Sequence, residues 1–276
     1  MIFTGDENMK QLLKGEEIKK KELNILLSFQ EFCVKYDLRF YLSGGTLLGA
    51  IRHHGFIPWD DDIDVCMPRR DYERLIEIYL NDNQHYHLRT TRLGNFTAPF
   101  SKLVDMGTWI DSQFTSDDMN RHLWIDIFPV DGLPESLYEV DKIYKQCDFY
   151  RRIFLLSDAK LGEGKSSFHK YSKYILKPLS ILYGKKRCIK KIEQIAQKYP
   201  YEQCKYVGAI TWGLYGEGER MLKSEFEKRV MVEFEGYKFP TFSCWDSYLH
   251  GLYGDYMQLP PVEKRQTHDM KVYVKE

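Results

Sequence analysis

Between residues 16 and 36, apolar side chains return at helical spacing. Ile18, Ile25, Leu26, Phe29, Phe32, Cys33 and Tyr36 fall near one stripe, which predicts an amphipathic helix. The pattern then shortens. Residues 39–43 form a β-rich run, 44–53 read as a short apolar helix and 63–67 as a strand, and Pro68 suits the first position of a helix over 68–80. Further strands are expected at 86–91, 100–104, 107–111 and 122–128. Residues 136–198 read as all-helical, with breaks at 162–164 and 178–184. β signals return at 229–234 and 236–239, joined tightly at Glu235-Gly236 and ended by Pro240. A helix at about 243–253 stops near Gly254, and the tail from Leu259 is extended and polar. This order predicts an α+β fold, a small mixed β-sheet flanked by helices, with a helical insertion and a C-terminal β-hairpin plus helix.

Composition adds limits. The chain has 276 residues, 43% hydrophobic and 15% aromatic, enough for one large domain or a domain with an appendage. Its formal net charge is zero, so it is not built to coat nucleic acid. The charge is unevenly placed, because 160–191 is dense in Lys and Arg against the single acid Glu163. Such a segment suits an anionic membrane or a lipid-linked, phosphate-rich glycan. Six scattered cysteines without metal spacing read as reduced, structural thiols. No signal-peptide pattern opens the chain and no run approaches the ~20 apolar residues of a membrane span. The expected location is cytoplasmic, with peripheral contact at the inner face of the membrane through 160–191.

The chemistry concentrates in 41–67. Asp60, Asp61, Asp62 and Asp64 run into the apolar strand. Residues i and i+2 of a strand share a face, so Asp62 and Asp64 can converge on one divalent ion while Ile63 and Val65 point into the core. Asp60 shares their parity, whereas Asp61 faces solvent or caps the turn. Asp126 is the one charge in the apolar run 123–128. An unpaired carboxylate there is costly to bury. It needs a partner, either a metal shared with Asp62 and Asp64 or a salt bridge. Asp131 reads as a turn residue past Pro129, and Asp105 and Asp111 as structural strand ends. Ser43-Gly44-Gly45-Thr46 matches no standard phosphate loop. Its value is its place before the carboxylates, with Ser43 and Gly44 at the positive end of the helix 44–53. Lys102 either reaches a phosphate or lies on a solvated strand edge. Arg52, near that helix's last turn, and Lys264, Arg265 and His268 in the tail add polar groups. His53 and His54 are adjacent, which is not metal spacing.

The run Gly-Gly-Thr-Leu-Leu-Gly-Ala-Ile-Arg-His, then Gly-Phe-Ile-Pro-Trp-Asp-Asp-Asp-Ile-Asp, closely resembles the LicD family, relatives of the fukutin-type transferases with a nucleotidyltransferase-like fold. The likeness continues through Lys102, Trp-Ile-Asp-Ile-Phe-Pro, Glu235-Gly-Tyr, Tyr253-Gly-Asp-Tyr and Leu259-Pro-Pro, over roughly residues 20–270. Taken with the order of elements, it gives a nucleotidyltransferase-like catalytic core with the N-terminal helix over 1–135, a basic helical insertion over 136–200, where the family signature is weakest, and a part over 201–276 that completes the core and the active site. It further implies a phosphotransferase that moves a phospho-alcohol, most often phosphocholine, from a CDP-activated donor to a glycan hydroxyl and releases CMP. The acceptor would be a lipid-linked or oligosaccharide glycan such as a teichoic acid, capsule or lipooligosaccharide repeat. By motif position, Asp60, Asp62, Asp64 and Asp126 would hold one or two Mg²⁺ or Mn²⁺ ions, and Asp62, Asp64 and Asp126 would be catalytic. Ser43, Gly44, Gly45 and Lys102 would meet the phosphates, with Arg52, Arg265 and His268 as candidate substrate contacts. Choline would ask for aromatic faces. The sequence offers Trp59, Trp109, Trp124, Tyr215, Trp245 and Tyr253 without singling one out. The rival readings are a nucleotidyltransferase placing NMP on a hydroxyl and a non-catalytic nucleotide- or glycan-binding relative. Ribitol, glycerol and ethanolamine donors differ only in the donor pocket.

Overall fold

A computed structural model describes residues 9–79, 85–111, 121–159, 161, 167–265 and 271–275. In chain order its elements are β1 (Met9–Leu12), α1 (Gly15–Lys35), β2 (Tyr41–Leu42), α2 (Gly44–His53), β3 (Asp64–Pro68), α3 (Arg69–Tyr79), β4 (His87–Arg89), β5 (Ser101–Asp105), β6 (Thr108–Asp111) and β7 (Leu123–Leu133). There follow α4 (Leu137–Asp158), α5 (Ser167–Tyr183), α6 (Lys185–Ala196), β8 (Tyr206–Ala209), β9 (Met221–Leu222), α7 (Lys223–Phe226), β10 (Arg229–Phe234), β11 (Tyr237–Phe242), α8 (Trp245–Tyr253) and β12 (Lys271–Lys275). His268, Glu163, Lys160, Lys165 and the expected break at 162–164 lie outside the described residues.

The central sheet is mixed, in the order β2-β3-β7-β5-β4, with β8 on β7 and β9 on β8. The β3–β7 pair is parallel and its other ladders are antiparallel. This is the expected α+β architecture. The apolar stripe of α1 is buried as its periodicity predicts, with Ile25, Leu26 and Phe29 at 0–1% exposure. Ile63 and Val65 are likewise fully buried.

Prolines caused three misreadings. Pro129 was expected to end its strand, yet β7 runs on to Leu133. On one edge β7 pairs with β5 as far as Ile127 and with β8 from Val130. Pro129 falls in the gap, where a missing N–H forfeits no ladder bond. Pro68 closes β3 rather than opening α3, because the two-residue β2 reaches only Val65 and Cys66. Pro240 lies inside β11 opposite Met231. The two-residue turn makes Phe234–Tyr237 a hydrogen-bonded pair, so by alternation Met231–Pro240 is a non-bonded pair that needs no amide. The expected break at 178–184 falls at its far end, at Gly184 with φ +90°, and Pro178 sits within α5.

The three-stranded sheet β1-β12-β6 was not foreseen. It ties the tail to the N-terminus, so the end of the chain is paired strand beyond the polar stretch. All six cysteines are free thiols. Among the described residues, no helix is long and apolar enough to cross a membrane.

Candidate active site

Two strands bring the carboxylates together. Asp64 opens β3 and Asp126 lies in β7, where the parallel register makes them partners. Asp62 stands just before β3, and its backbone is not yet strand. The amide of Asp126 donates to the Ile63 carbonyl at 2.8 Å, which locks the approach to the strand against β7. One oxygen from each of Asp62, Asp64 and Asp126 lies within 4.8 Å of the others. Asp60 is outside that trio. Its Oδ2 lies close to Gly45, where an added Cβ would meet it at 2.7 Å.

The glycine turn holds this cluster. Gly44 has φ +54°, a left-handed conformation that glycine adopts freely. A Cβ there would come within 2.7 Å of Asp64 Oδ2. The Ser43 amide donates to the Asp64 carbonyl at 3.1 Å, the Gly45 amide to the Asp64 carboxylate, and the Thr46 hydroxyl accepts from the Asp64 amide at 2.8 Å. The Gly44 amide donates to the Tyr248 hydroxyl at 3.3 Å. In this arrangement the turn's amides position a carboxylate.

Burial pushes the Asp64 carboxyl well above its ordinary range, and Asp62, Asp126 and Asp60 add like charge, against the Gly45 hydrogen bond. Burial also raises Asp126, opposed by Lys102. Lys102 faces Asp126 across the β5–β7 ladder, with Nζ 3.5 Å from Asp126 Oδ1 and 3.7 Å from the centroid of the Trp124 ring. Trp124 Nε1 donates to Asp126 Oδ2 at 3.0 Å. Oδ1 is buried without a hydrogen bond among the described residues. Lys102 is therefore a half-buried cation beside the carboxylates, and Asp126 has its salt bridge while still facing the cluster.

The rim is basic. Arg52 and Arg265 lie within electrostatic reach of one another, and burial with Arg265 lowers Arg52. Arg52 donates to the Tyr256 carbonyl and to His53 Nε2, and Arg265 stacks on Trp59, 4.5 Å from the ring centroid. The Glu235-Gly236 turn braces the approach to the acidic run. Glu235 Oε1 accepts from the Phe56 amide at 2.9 Å, and the Glu235 amide donates to the His54 carbonyl at 3.0 Å.

Two acids escaped the sequence reading. Glu22 is 1% exposed and its Oε2 lacks a hydrogen bond among the described residues. Burial, then Asp62, Asp61 and Asp60, push it well up. The available signal was an acid four residues after Ile18 and three before Ile25, on the buried stripe. Glu219 is also buried, and nothing in its local sequence marks it. Asp131 is no turn residue. It is buried within β7 in a two-pronged pair with Arg69, at 2.7 Å and 2.6 Å.

The family model described as "LicD/FKTN/FKRP, nucleotidyltransferase domain" matches residues 37–161. That stretch includes the glycine turn, all four acidic-run aspartates, Lys102 and Asp126. The Haemophilus influenzae lipopolysaccharide cholinephosphotransferase LicD is 36% identical over 256 residues, covering 90% of this chain and 93% of that protein. The ribitol 5-phosphate transferase FKRP of Mus musculus is 33% identical over 97 residues, 33% of this chain and 17% of its own, and the Homo sapiens protein is 32% identical over 97 residues. With a relative matched over nearly its whole length and a family model spanning the glycine turn and the aspartates, this chain belongs to the LicD family of phosphotransferases.

Proposed function

We propose that this protein transfers phosphocholine from CDP-choline to a hydroxyl of a cell-surface glycan of the lipopolysaccharide type, releasing CMP. The observation that carries this reading is the convergence of Asp62, Asp64 and Asp126 beside Gly44, in a chain similar over most of its length to a cholinephosphotransferase. Teichoic acid and capsule repeats are acceptors of the same chemistry.

The carboxylates fit a hard divalent cation. Their donors are all oxygen, like charge crowds them, and Asp126 Oδ1 is buried without a hydrogen bond. Asp62, Asp64 and Asp126 would hold Mg²⁺ or Mn²⁺, with Asp60 alongside. When bound, the ion supplies positive charge at the donor's diphosphate. Lys102 adds a fixed charge from the β5 side, and Arg52 and Arg265 offer two more at the rim. The acceptor oxygen attacks the β-phosphorus in line, and a new P–O ester bond forms. The P–O bond to CMP breaks with its electron pair staying on CMP, and the hydroxyl proton passes to Asp126. Catalysis of this kind rests on positioning and charge rather than covalent help from the protein.

The acceptor reading draws support from α5. Tyr171, Tyr174, Ile175, Leu179, Ile181 and Leu182 are all exposed on it. Lys186, Arg187, Lys190 and Lys191 follow on α6. An apolar helix face flanked by cations suits an anionic membrane surface, where lipid-linked acceptors reside. Binding to vesicles containing phosphatidylglycerol but not to pure phosphatidylcholine, weakened by Ile175→Asp with Leu182→Asp, is the expected result. No binding at low salt excludes it.

The function is tested by supplying CDP-choline, CDP-ribitol, CDP-glycerol, CDP-ethanolamine and nucleoside triphosphates in turn with glycan acceptors. CMP release from CDP-choline, abolished by a chelator, is expected. Pyrophosphate release from a triphosphate would establish NMP transfer instead. Nucleotide binding indifferent to Mg²⁺ and without turnover would make the chain a non-catalytic relative.

A further inference from the structure

Beside the carboxylates lies a cavity of about 160 Å³ that shares Gly44 and Asp64 with them. Its walls include Trp212, Tyr215, Tyr248 and Tyr253, and its polar side chains include the Glu219 carboxyl. Tertiary packing builds it. Tyr248 and Tyr253 flank Gly251 on α8. The Gly251 backbone lies against that of Gly218, so close that a Cβ on either residue would collide with the other's carbonyl. This contact seats residues 216–219 against α8 and carries Glu219 to the cavity.

Glu219 is 4% exposed and, among the described residues, has no Lys or Arg within ion-pair distance. The Leu214 and Tyr215 amides donate to its carboxylate, and Arg151 acts on it only through space. Burial pushes its carboxyl up to about 8. A buried acid without a cation is costly in its charged form, and a ligand cation would remove that cost.

The phenol hydroxyls are already engaged. Tyr215 and Tyr253 hydrogen-bond to each other, and Tyr248 accepts from the Gly44 amide. A polyol would need a hydrogen-bond partner for every hydroxyl it buries here. A cation without N–H groups needs none and gains from aromatic faces and a carboxylate.

We propose that this cavity seats the quaternary ammonium head of the donor alcohol, with Trp212, Tyr215 and Tyr253 as its aromatic walls and Glu219 as its counter-ion. The assignment rests on the phosphocholine-transfer reading and refines it. Choline's two-carbon linker would place the ammonium one short step from the phosphorus, which matches a cavity that shares Gly44 and Asp64 with the metal site. Selectivity for choline over ribitol would then arise here rather than at the carboxylates.

The test compares binding of CDP-choline, its neutral carbon isostere CDP-3,3-dimethylbutanol, CDP-ribitol and CDP to the full chain with Mg²⁺ present, by calorimetry. Wild type should bind CDP-choline about tenfold or more tighter than the isostere. Glu219→Gln should erase most of that preference while CDP affinity stays within twofold. Trp212→Leu should weaken CDP-choline in the same selective way, and circular dichroism and the retained CDP affinity certify that each variant is folded. If wild type prefers choline but neither variant changes the preference, the cavity assignment is overturned and phosphocholine transfer stands. If wild type shows no preference for choline, the cavity assignment falls, and CMP release from CDP-choline decides the transfer reading separately.

Discussion

Asp64 and Asp126 are register partners across the parallel β3–β7 pair, so two carboxylates more than sixty positions apart in sequence are set side by side by backbone hydrogen bonding. Their spacing is a property of the sheet, and single substitutions can remove the charges without disturbing it. Asp62→Ala or Asp64→Ala should abolish CMP release, a loss of several kcal/mol of transition-state stabilisation. Thermal stability should hold or rise, because each change relieves like-charge crowding. Turnover within tenfold of wild type would refute the metal assignment.

Gly44→Ala should be far more damaging than Gly45→Ala. At Gly44 the left-handed backbone costs an L-residue about 1–2 kcal/mol, and the new methyl would crowd Asp64 Oδ2. At Gly45 the collision is with Asp60, outside the carboxylate trio, on a backbone that any residue adopts. Activity and Mg²⁺ titrations of the pair check this ranking, and equal effects would contradict it.

Lys102→Met should lower kcat at least tenfold while KM for the donor changes little, because the charge it removes is beside Asp126. Lys102→Arg should recover part of the rate. A Lys102→Met enzyme with normal kcat would return Lys102 to a packing role over Trp124.

Arg69→Ala should cost about 3–5 kcal/mol of stability, since it strands Asp131 as a buried charge in β7. The double change Arg69→Met with Asp131→Leu should restore much of it. Urea unfolding measures both, and the kcat of folded protein should be unaffected.

Glu219 predicts a pH-dependent stability. Its folded carboxyl sits near 8, above its usual range, so the native state holds a proton that the unfolded chain releases. The ligand-free protein should therefore lose stability as pH rises from the usual carboxylate range to about 8, by at most about 1.4 kcal/mol per pH unit from this group. Arg151, Tyr215, Tyr248, Tyr253, Tyr144 and Cys66 are the titratable groups within its field. Glu219→Gln should flatten this part of the profile and exceed wild type in Tm at pH 8. Parallel profiles for the two proteins would show that Glu219 ionises freely.

Much of this site was legible in the chain. The i, i+2 placement of Asp62 and Asp64 and the lone charge of Asp126 in an apolar run marked the carboxylates, because burying an unpaired charge is too costly to be casual. The glycine turn was visible, although the closeness of Gly44 to Asp64 was not. Proline misled at three strands, since its cost depends on whether a neighbour awaits the missing amide, and only the ladder decides that.

Sequence by itself determined the amphipathic α1, the α2 turn and the family, and it marked Asp62, Asp64 and Asp126 as candidates, all of which depend on local periodicity or contiguous motifs. Tertiary structure alone decided that Lys102 belongs to Asp126, that Asp131 belongs to Arg69, that Glu22 approaches the acidic run, and that Glu219 meets Tyr248 and Tyr253. Those relationships join residues far apart in the chain. They arise from strand register and from the close contact of Gly218 with Gly251, and neither leaves a periodic trace in the order of amino acids.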